Sequence, residues 1–112
     1  MKIYNWHKIN DTTLSGLEAG KLTCIDVDGK KIGMLKHDNI LYSFAALCPH
    51  AGAALCEGWL DARGHIVCPD HKYRFDPATG RNTSGEGYKL VTYPIEIRDD
   101  GIYIGIIIPE TG

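Results

Sequence analysis

A small antiparallel all-β sandwich or barrel is the fold class that this 112-residue sequence predicts. Short apolar runs with period-two alternation recur along the chain, and turn signals such as DG, DN and DDG separate them. Almost no stretch has the 3.6-residue periodicity of an amphipathic helix. At this length we expect one domain, residues 1–112.

Hairpin signals organise the first half of the predicted fold. KLTCIDV is strand-like, and the turn signal DGK joins it to the second strand, KIGMLKH. The dipeptide DN separates that strand from a third, ILYSFAAL. The earlier segment TTLSGLEAGK is expected to be a loop rather than a helix, because Gly16 and Gly20 interrupt it.

The second half combines two short strands with two longer alternating runs. GHIVCP and YRFD are short apolar runs that end at PATG, and NTSGEG, residues 82–87, is predicted to be a mobile loop. The apolar residues of YKLVTYPIEIR alternate and predict one strand face, and DDG then turns the chain into a last strand. The predicted faces consist of Val91, Tyr93, Ile95 and Ile97, and of Ile102, Ile104, Ile106 and Ile108.

Charge and hydropathy argue against two classes of partner. The formal net charge of −2 is opposite to the basic surface that nucleic-acid binding requires. The longest apolar run, IGIIIP, is far shorter than the roughly 20 residues of a membrane-spanning helix. MKIYNWHKIND is too polar for the apolar part of a signal peptide. We therefore expect a cytoplasmic protein that binds neither nucleic acid nor membrane.

The chain has four cysteines, Cys24, Cys48, Cys56 and Cys68. Four cysteines allow three disulfide pairings, but metal binding is the preferred interpretation in a reducing compartment. Cys24 lies in a predicted strand and is expected in the core. Cys56 is expected to be a free, partly buried thiol, with a redox-sensing role as the weaker alternative.

The other two cysteines are each paired with a histidine. AALCPHAGAAL contains Cys48 and His50 as C-x-H, and VCPDHKYRFD contains Cys68 and His71 as C-x-x-H. Two thiolates and two imidazoles suit a tetrahedral zinc site, although C-x-H is a tight spacing for two ligands of one ion. In a two-iron cluster each loop can give its cysteine to one iron and its histidine to the other. Both sites stay open at this point.

The segments CPHAGAAL and CPDHKYRFDPATG, with the ending YPIEIRDDGIYI, resemble a Rieske-type [2Fe–2S] ferredoxin over nearly the whole chain. The resemblance implies a Rieske-like β-sandwich or barrel with a cluster-binding subdomain of two hairpin loops, at about residues 46–80. It also implies one [2Fe–2S] cluster per chain. Cys48 and Cys68 would bind the inner iron, and His50 and His71 the outer iron near solvent.

The sequence departs from respiratory-chain Rieske proteins at several positions. Ala53 and Asp70 stand where those proteins join the two loops by a disulfide. Tyr73 and Phe75 stand where they have Ser and Tyr, whose hydroxyls donate to sulfur. Fewer donors leave the extra electron less stabilised, so we expect a low potential for this class, about −150 mV. Lys72 replaces the glycine that usually follows the second histidine.

By this resemblance the chain is a soluble carrier of single electrons from a flavin-containing reductase to a terminal oxygenase or similar acceptor. It is expected to be a monomer and not itself an enzyme, since the sequence has no constellation for bond-making chemistry. Its contacts with partners should be transient. The expected docking face is Pro49, His50, Ala51, Gly52, His71 and Lys72. The alternatives are the small subunit of a nitrite reductase-like enzyme and a zinc-stabilised interaction module.

Overall fold

The computed structural model describes residues 3–50 and 52–108. Within this part, short strands form three antiparallel sheets, which confirms the predicted all-β class. None of the helices in these residues could span a membrane. The strands are β1 (Tyr4–Lys8), β2 (Leu22–Val27), β3 (Lys30–His37), β4 (Ile40–Ala45), β5 (Trp59–Leu60), β6 (Ile66–Val67), β7 (Arg74–Phe75), β8 (Thr92–Tyr93), β9 (Ile95–Arg98) and β10 (Gly101–Ile107), with helix α1 (Asp11–Ser15) and a 3-10 helix (Leu55–Glu57).

The largest sheet has the strand order β2-β3-β4-β8 and contains the hairpins expected from the sequence. Asp28 and Gly29 turn β2 into β3 with φ angles of 51° and 77°. Asp38 and Asn39 turn β3 into β4 with φ angles of 51° and 64°. Two consecutive positive φ angles are the signature of the type I′ turn, whose twist matches that of the flanking strands. Local turn chemistry therefore fixes the register of these three strands.

The N-terminal segment contains two elements that the sequence did not predict. β1 pairs with β10 in a second sheet, of order β1-β10-β9, and Tyr4 lies opposite Ile107. Helix α1 begins after Asn10, whose side-chain oxygen accepts a hydrogen bond from the Thr13 N–H at 2.7 Å. The loop predicted for TTLSGLEAGK is therefore wrong over its first residues, because Gly16 ends the helix instead of preventing it.

Pro94 divides the long strand predicted from YKLVTYPIEIR. The residues before it form β8 beside β4, and the residues after it form β9 beside β10. Tyr93 and Ile95 pack against a buried core, but Val91 and Ile97 are 57% and 77% exposed, so the predicted common face is wrong. Proline has no N–H for a sheet ladder, and here the chain crosses from one sheet to the other.

The buried apolar residues form two cores on opposite faces of β3. Ile32 and Met34 point into one core, which also contains Ile9, Val27 and Ile104. Leu35 and its neighbours form the other, which we call the loop-side core. Its members are Leu35, Phe44, Cys48, Leu55, Ile66, Cys68, Phe75 and Leu90. Alternation along β3 therefore separates a core between the two larger sheets from a core beneath the Cys/His loops.

The third sheet, of order β5-β6-β7, supports the second Cys/His loop. Asp61 organises the turn between β5 and β6, where its Oδ1 accepts hydrogen bonds from the N–H groups of Arg63 (2.9 Å) and His65 (3.0 Å). Its Oδ2 accepts a hydrogen bond from Nη1 of Arg74 on β7 at 3.1 Å. One carboxylate thus ties the first and last strands of this sheet together. The boundaries of the predicted subdomain, residues 46–80, stay a prediction.

Candidate metal centre

The first Cys/His loop connects β4 to the 3-10 helix and closes on its own backbone. The Cys48 N–H donates to the Ala53 carbonyl, and the Gly52 N–H donates to the Cys48 carbonyl, both at 2.8 Å. The Leu55 N–H donates to the Ala46 carbonyl at 2.8 Å and joins the two ends of the loop. Cys48 is buried at the base of the loop, and His50 is half-buried nearer its tip.

The second Cys/His loop is the turn between β6 and β7. The Cys68 N–H donates to the Tyr73 carbonyl at 2.8 Å, which closes the turn. His71 and Lys72 at its tip both have left-handed backbones, with φ angles of 64° and 58°. This conformation directs the His71 side chain outward, where it is 66% exposed. Glycine is the residue that the resemblance leads one to expect at position 72. The left-handed backbone explains that preference, because only glycine adopts this conformation without steric cost.

The two cysteines meet under the loops. Cys48 and Cys68 are both buried in the loop-side core, and Cys48 lies near enough to influence the pKa of the Cys68 thiol. Burial raises the pKa of the Cys68 thiol to about 11; a backbone hydrogen bond at Asp70 acts in the opposite direction, and Cys48 adds to the increase. A thiol with this pKa keeps its proton at neutral pH, so metal binding there must release a proton.

The two imidazoles lie side by side nearer the surface. The ring centroids of His50 and His71 are 5.2 Å apart. Nε2 of His71 is 3.3 Å from Oδ1 of Asp70. Ligand atoms of His50, Asp70 and His71 all lie within 4.8 Å of one another. Nδ1 of His50 is buried, and none of the residues 3–50 and 52–108 gives it a hydrogen-bond partner.

These observations fit a metal centre with mixed ligands. A buried nitrogen without a partner costs about 1–3 kcal/mol, so Nδ1 of His50 is suited to a metal and not to an apolar core. Two buried thiols below and two imidazoles toward solvent are the donors that a [2Fe–2S] cluster with one His₂ iron requires. The assignment of Cys48, His50, Cys68 and His71 as ligands stays a prediction.

Two tyrosines enclose the His50 ring. Tyr73 stacks on it with centroids 4.1 Å apart and planes 30° apart. Tyr88 approaches it edge-on at 5.4 Å, from the loop that follows β7. Tyr73, which stands where respiratory-chain Rieske proteins have Ser, thus packs its ring on an imidazole. Tyr88 was missed entirely, because no motif connects it with a histidine 38 residues earlier in the chain.

Asn82 organises the loop that carries Tyr88. Its side-chain nitrogen donates to the Arg74 carbonyl at 3.1 Å, and its oxygen accepts from the backbone N–H groups of Glu86 (2.5 Å) and Gly87 (3.1 Å). The loop is thereby attached to β7 beside the candidate site. The predicted mobility of residues 82–87 stays a prediction.

The other two cysteines form a disulfide, so their predicted states are wrong. The Cα atoms of Cys24 and Cys56 are 5.9 Å apart, and their sulfurs are bonded. Cys24 lies exposed on the edge strand β2 instead of in the core, and the 3-10 helix brings the half-buried Cys56 to it. Local patterns could not reveal a pair separated by 32 residues.

An all-β fold in which two hairpin loops present paired cysteines and histidines is typical of iron–sulfur proteins with mixed ligands. Residues 5–94 match the Rieske [2Fe–2S] domain family, and the chain belongs to this family. Its cofactor is accordingly one [2Fe–2S] cluster per chain.

The relatives are mostly ferredoxin components of oxygenase systems. The chain is 32% identical over 96 residues to the ferredoxin component of the naphthalene 1,2-dioxygenase/salicylate 5-hydroxylase systems of a Ralstonia species, covering 85% of this chain and 89% of that protein. It is similar to a chain in the complex of reduced oxygenase and oxidised ferredoxin of carbazole 1,9a-dioxygenase, with 25% identity, a TM-score of 0.75 and coverage of 88% and 91%.

A third similarity concerns the fold alone. A Mycobacterium tuberculosis chain assigned as the small subunit of an NADH-dependent nitrite reductase has a TM-score of 0.76, with 16% identity and coverage of 97% and 99%. The Rieske-like architecture expected from the sequence is therefore present.

Proposed function

We propose that this protein carries single electrons from a flavin-containing reductase to a terminal oxygenase or a similar acceptor, and that it catalyses no reaction itself. The observation that carries the proposal is a Rieske-family chain whose two hairpin loops contribute two buried cysteines and, nearer solvent, two neighbouring imidazoles. Cys48 and Cys68 would hold the inner iron, and His50 and His71 would hold the outer iron. When bound, a [2Fe–2S] cluster accepts and returns one electron.

The protein's own residues place the histidine edge where a partner can reach it. His71 is exposed and His50 half-buried, so an electron leaving through either imidazole crosses little protein. Tyr73 covers one face of His50, and Tyr88 lies against its edge. These rings restrict the orientation of the imidazole, and Tyr73 shields one of its faces from water. Rigid placement of this kind lowers the reorganisation that accompanies electron transfer.

The acceptor proposed is an oxygenase of the ring-hydroxylating type, by analogy with the ferredoxin components that the chain resembles. The docking face surrounds the two histidines and includes the exposed residues Pro49, Gly52 and Lys72. Ala51, which the sequence also placed on this face, lies outside the described residues. We expect a small, transient interface, as is usual between redox partners.

A monomeric state and a cytoplasmic location belong to the same proposal. Size-exclusion chromatography with light scattering tests the first, and cell fractionation tests the second. A stable dimer that covers the histidine edge would contradict the docking face, because a partner could no longer approach His71.

Stopped-flow reoxidation tests the electron-carrier function. The reduced protein is mixed with an oxidised ring-hydroxylating oxygenase, and we expect a rate that rises with oxygenase concentration. Lys72→Glu should lower the second-order rate constant about tenfold, because it reverses a charge beside the exposed imidazole. Lys8→Glu, on β1 of another sheet, is the matched control and should leave it unchanged. Equal rates for both variants would refute the docking face, and no reoxidation would refute the acceptor class.

A further inference from the structure

The Cys24–Cys56 disulfide is a redox group separate from the cysteines of the candidate metal centre. Cys48 and Cys68 are free and buried, whereas Cys24 is exposed and Cys56 half-buried. Exposure matters because disulfides break by attack of a thiolate on one sulfur, which needs access to that sulfur. Disulfides at exposed residues tend to be the labile ones, and Cys24 is an exposed residue.

The two half-cystines belong to different parts of the fold. Cys24 lies opposite Gly33 in the β2–β3 ladder, on the sheet face where the Phe44 ring covers Gly33. Phe44 and Leu55 both belong to the loop-side core. Cys56 follows Leu55 in the 3-10 helix, directly after the first Cys/His loop. The bridge therefore lies at the rim of the loop-side core and connects the four-stranded sheet to the end of that loop.

We propose that Cys24–Cys56 is a reducible disulfide, a two-electron redox site that fixes the first Cys/His loop to the four-stranded sheet when oxidised and releases it when reduced. The reductant is a dithiol, either a protein with a Cys-x-x-Cys pair or a small molecule with two thiols. The proposed cytoplasmic location favours reversibility, because disulfides in a reducing compartment are usually transient or redox-sensing.

The exchange proceeds in two balanced steps. A thiolate of the dithiol attacks Sγ of Cys24, the Cys24–Cys56 bond breaks, and the Cys56 sulfur leaves as a thiolate that takes up a proton. In the mixed disulfide, the first sulfur of the dithiol is bonded to Cys24. The second thiolate of the dithiol attacks that first sulfur and releases Cys24, which also takes up a proton. The dithiol is oxidised to a disulfide, and the protein gains two electrons and two protons.

Release of the bridge should be measurable at the candidate metal centre. The disulfide closes a long segment of chain, between positions 24 and 56, that contains the first Cys/His loop. Opening it lets the 3-10 helix separate from β2 in local fluctuations. We expect reduction to lower the thermal midpoint by about 10 °C. Transfer of iron to an external chelator should become about tenfold faster.

The experiment uses the cluster-loaded protein in buffers of reduced and oxidised dithiothreitol at stepped ratios. After alkylation, mass spectrometry measures the modification of each cysteine, and parallel samples give the thermal midpoint and the rate of iron release. We expect Cys24 and Cys56 to become alkylated together, with two-electron dependence, while the protein stays folded. The double variant C24S/C56S should match the reduced protein in every buffer. Thr23→Ser, on the same strand, is the control and should match the oxidised protein.

Three results would overturn the proposal. The first is alkylation of Cys24 and Cys56 in the air-isolated protein, which would mean that no bridge forms. The second is a bridge that resists the dithiol until the protein unfolds, which would make it a permanent brace. The third is reduction without any change in thermal midpoint or iron release. The thiol counts do not depend on the proposed electron-carrier function, so a protein without a cluster would refute that function and leave these counts readable.

Discussion

Lys72 has a side chain at a position whose left-handed backbone favours glycine. Its φ angle of 58° places a long side chain in a conformation that glycine adopts freely. The neighbouring His71 has the same conformation, so the strain falls on both residues at the tip of the second loop. A residue with a Cβ pays about 1–2 kcal/mol for this conformation, of which glycine's greater freedom in the unfolded chain offsets a part.

Lys72→Gly should therefore stabilise the protein. We expect the free energy of unfolding to rise by about 0.5–1 kcal/mol, measured by urea unfolding of the cluster-loaded protein. Lys72→Ala removes the same charge but keeps the Cβ, and it should give no such gain. A larger gain for the alanine variant would attribute the effect to charge and contradict the backbone explanation.

We expect the reduction potential to depend on hydroxyl groups that donate to sulfur. Phe75 is fully buried and has no hydroxyl, and the Tyr73 ring stacks on His50. We expect a wild-type potential of about −150 mV. Phe75→Tyr should raise it by about 60 mV, the equivalent of one hydrogen bond of about 1.4 kcal/mol to a reduced cluster.

Tyr73→Phe is the matched control for this prediction. It keeps the stacking on His50 and removes only the hydroxyl, so the potential should stay the same. Redox titration followed by visible circular dichroism gives all three values. A wild-type potential above zero would show that donors other than these two side chains stabilise the reduced state.

The elements that the sequence predicts well are those whose cause is local. The β2–β3 and β3–β4 hairpins follow from two-residue turn signals, and both Cys/His loops follow from short spacings. β1 was missed because its partner, β10, lies almost a whole chain length away and β1 is only half-buried. Pro94 ends a strand that alternation alone would continue. Where a strand pairs with a distant segment, periodicity alone cannot predict the strand or its end.

Asp61 stabilises the sheet beneath the second loop, and its effect should depend on pH. Partial burial raises the pKa of its carboxyl. The N–H groups of His65 and Arg63 and nearby positive charge together lower the pKa by more, so the net pKa lies below the ordinary 3.8. A lowered pKa means that the stabilisation is complete above pH 3.8 and is lost as the pH falls through the pKa of the folded state.

Asp61→Asn keeps the shape of the side chain and removes its charge. At pH 7 we expect it to lower the free energy of unfolding by about 1 kcal/mol, a value reduced by solvent screening of the Arg74 contact. Once the pH lies below the pKa of Asp61 in the folded state, the variant and the wild type should be equally stable. Asp99→Asn, in the exposed turn before β10, is the control. A difference that persists unchanged in acid would mean that the charge of Asp61 contributes nothing.

At the scale of the whole molecule, two cores share one strand. β3 contributes to the core between the larger sheets with one face and to the loop-side core with the other. The motif alone identified the four Cys/His residues. It could not identify Tyr88 or the Cys24–Cys56 bridge, because both depend on tertiary contacts between distant segments. The Tyr88 contact and the disulfide are therefore features of this protein's site that the Cys/His motif does not specify.

The most direct test of the central claim is electron paramagnetic resonance of the anaerobically purified protein before and after dithionite, with iron and acid-labile sulfide measured per chain. The account predicts two irons and two sulfides, and a rhombic signal that arises only on reduction, with an average g value below that of all-cysteine clusters. Cys48→Ser should abolish the signal, and Cys24→Ser should keep it. A colourless protein with one zinc and no iron would contradict the account.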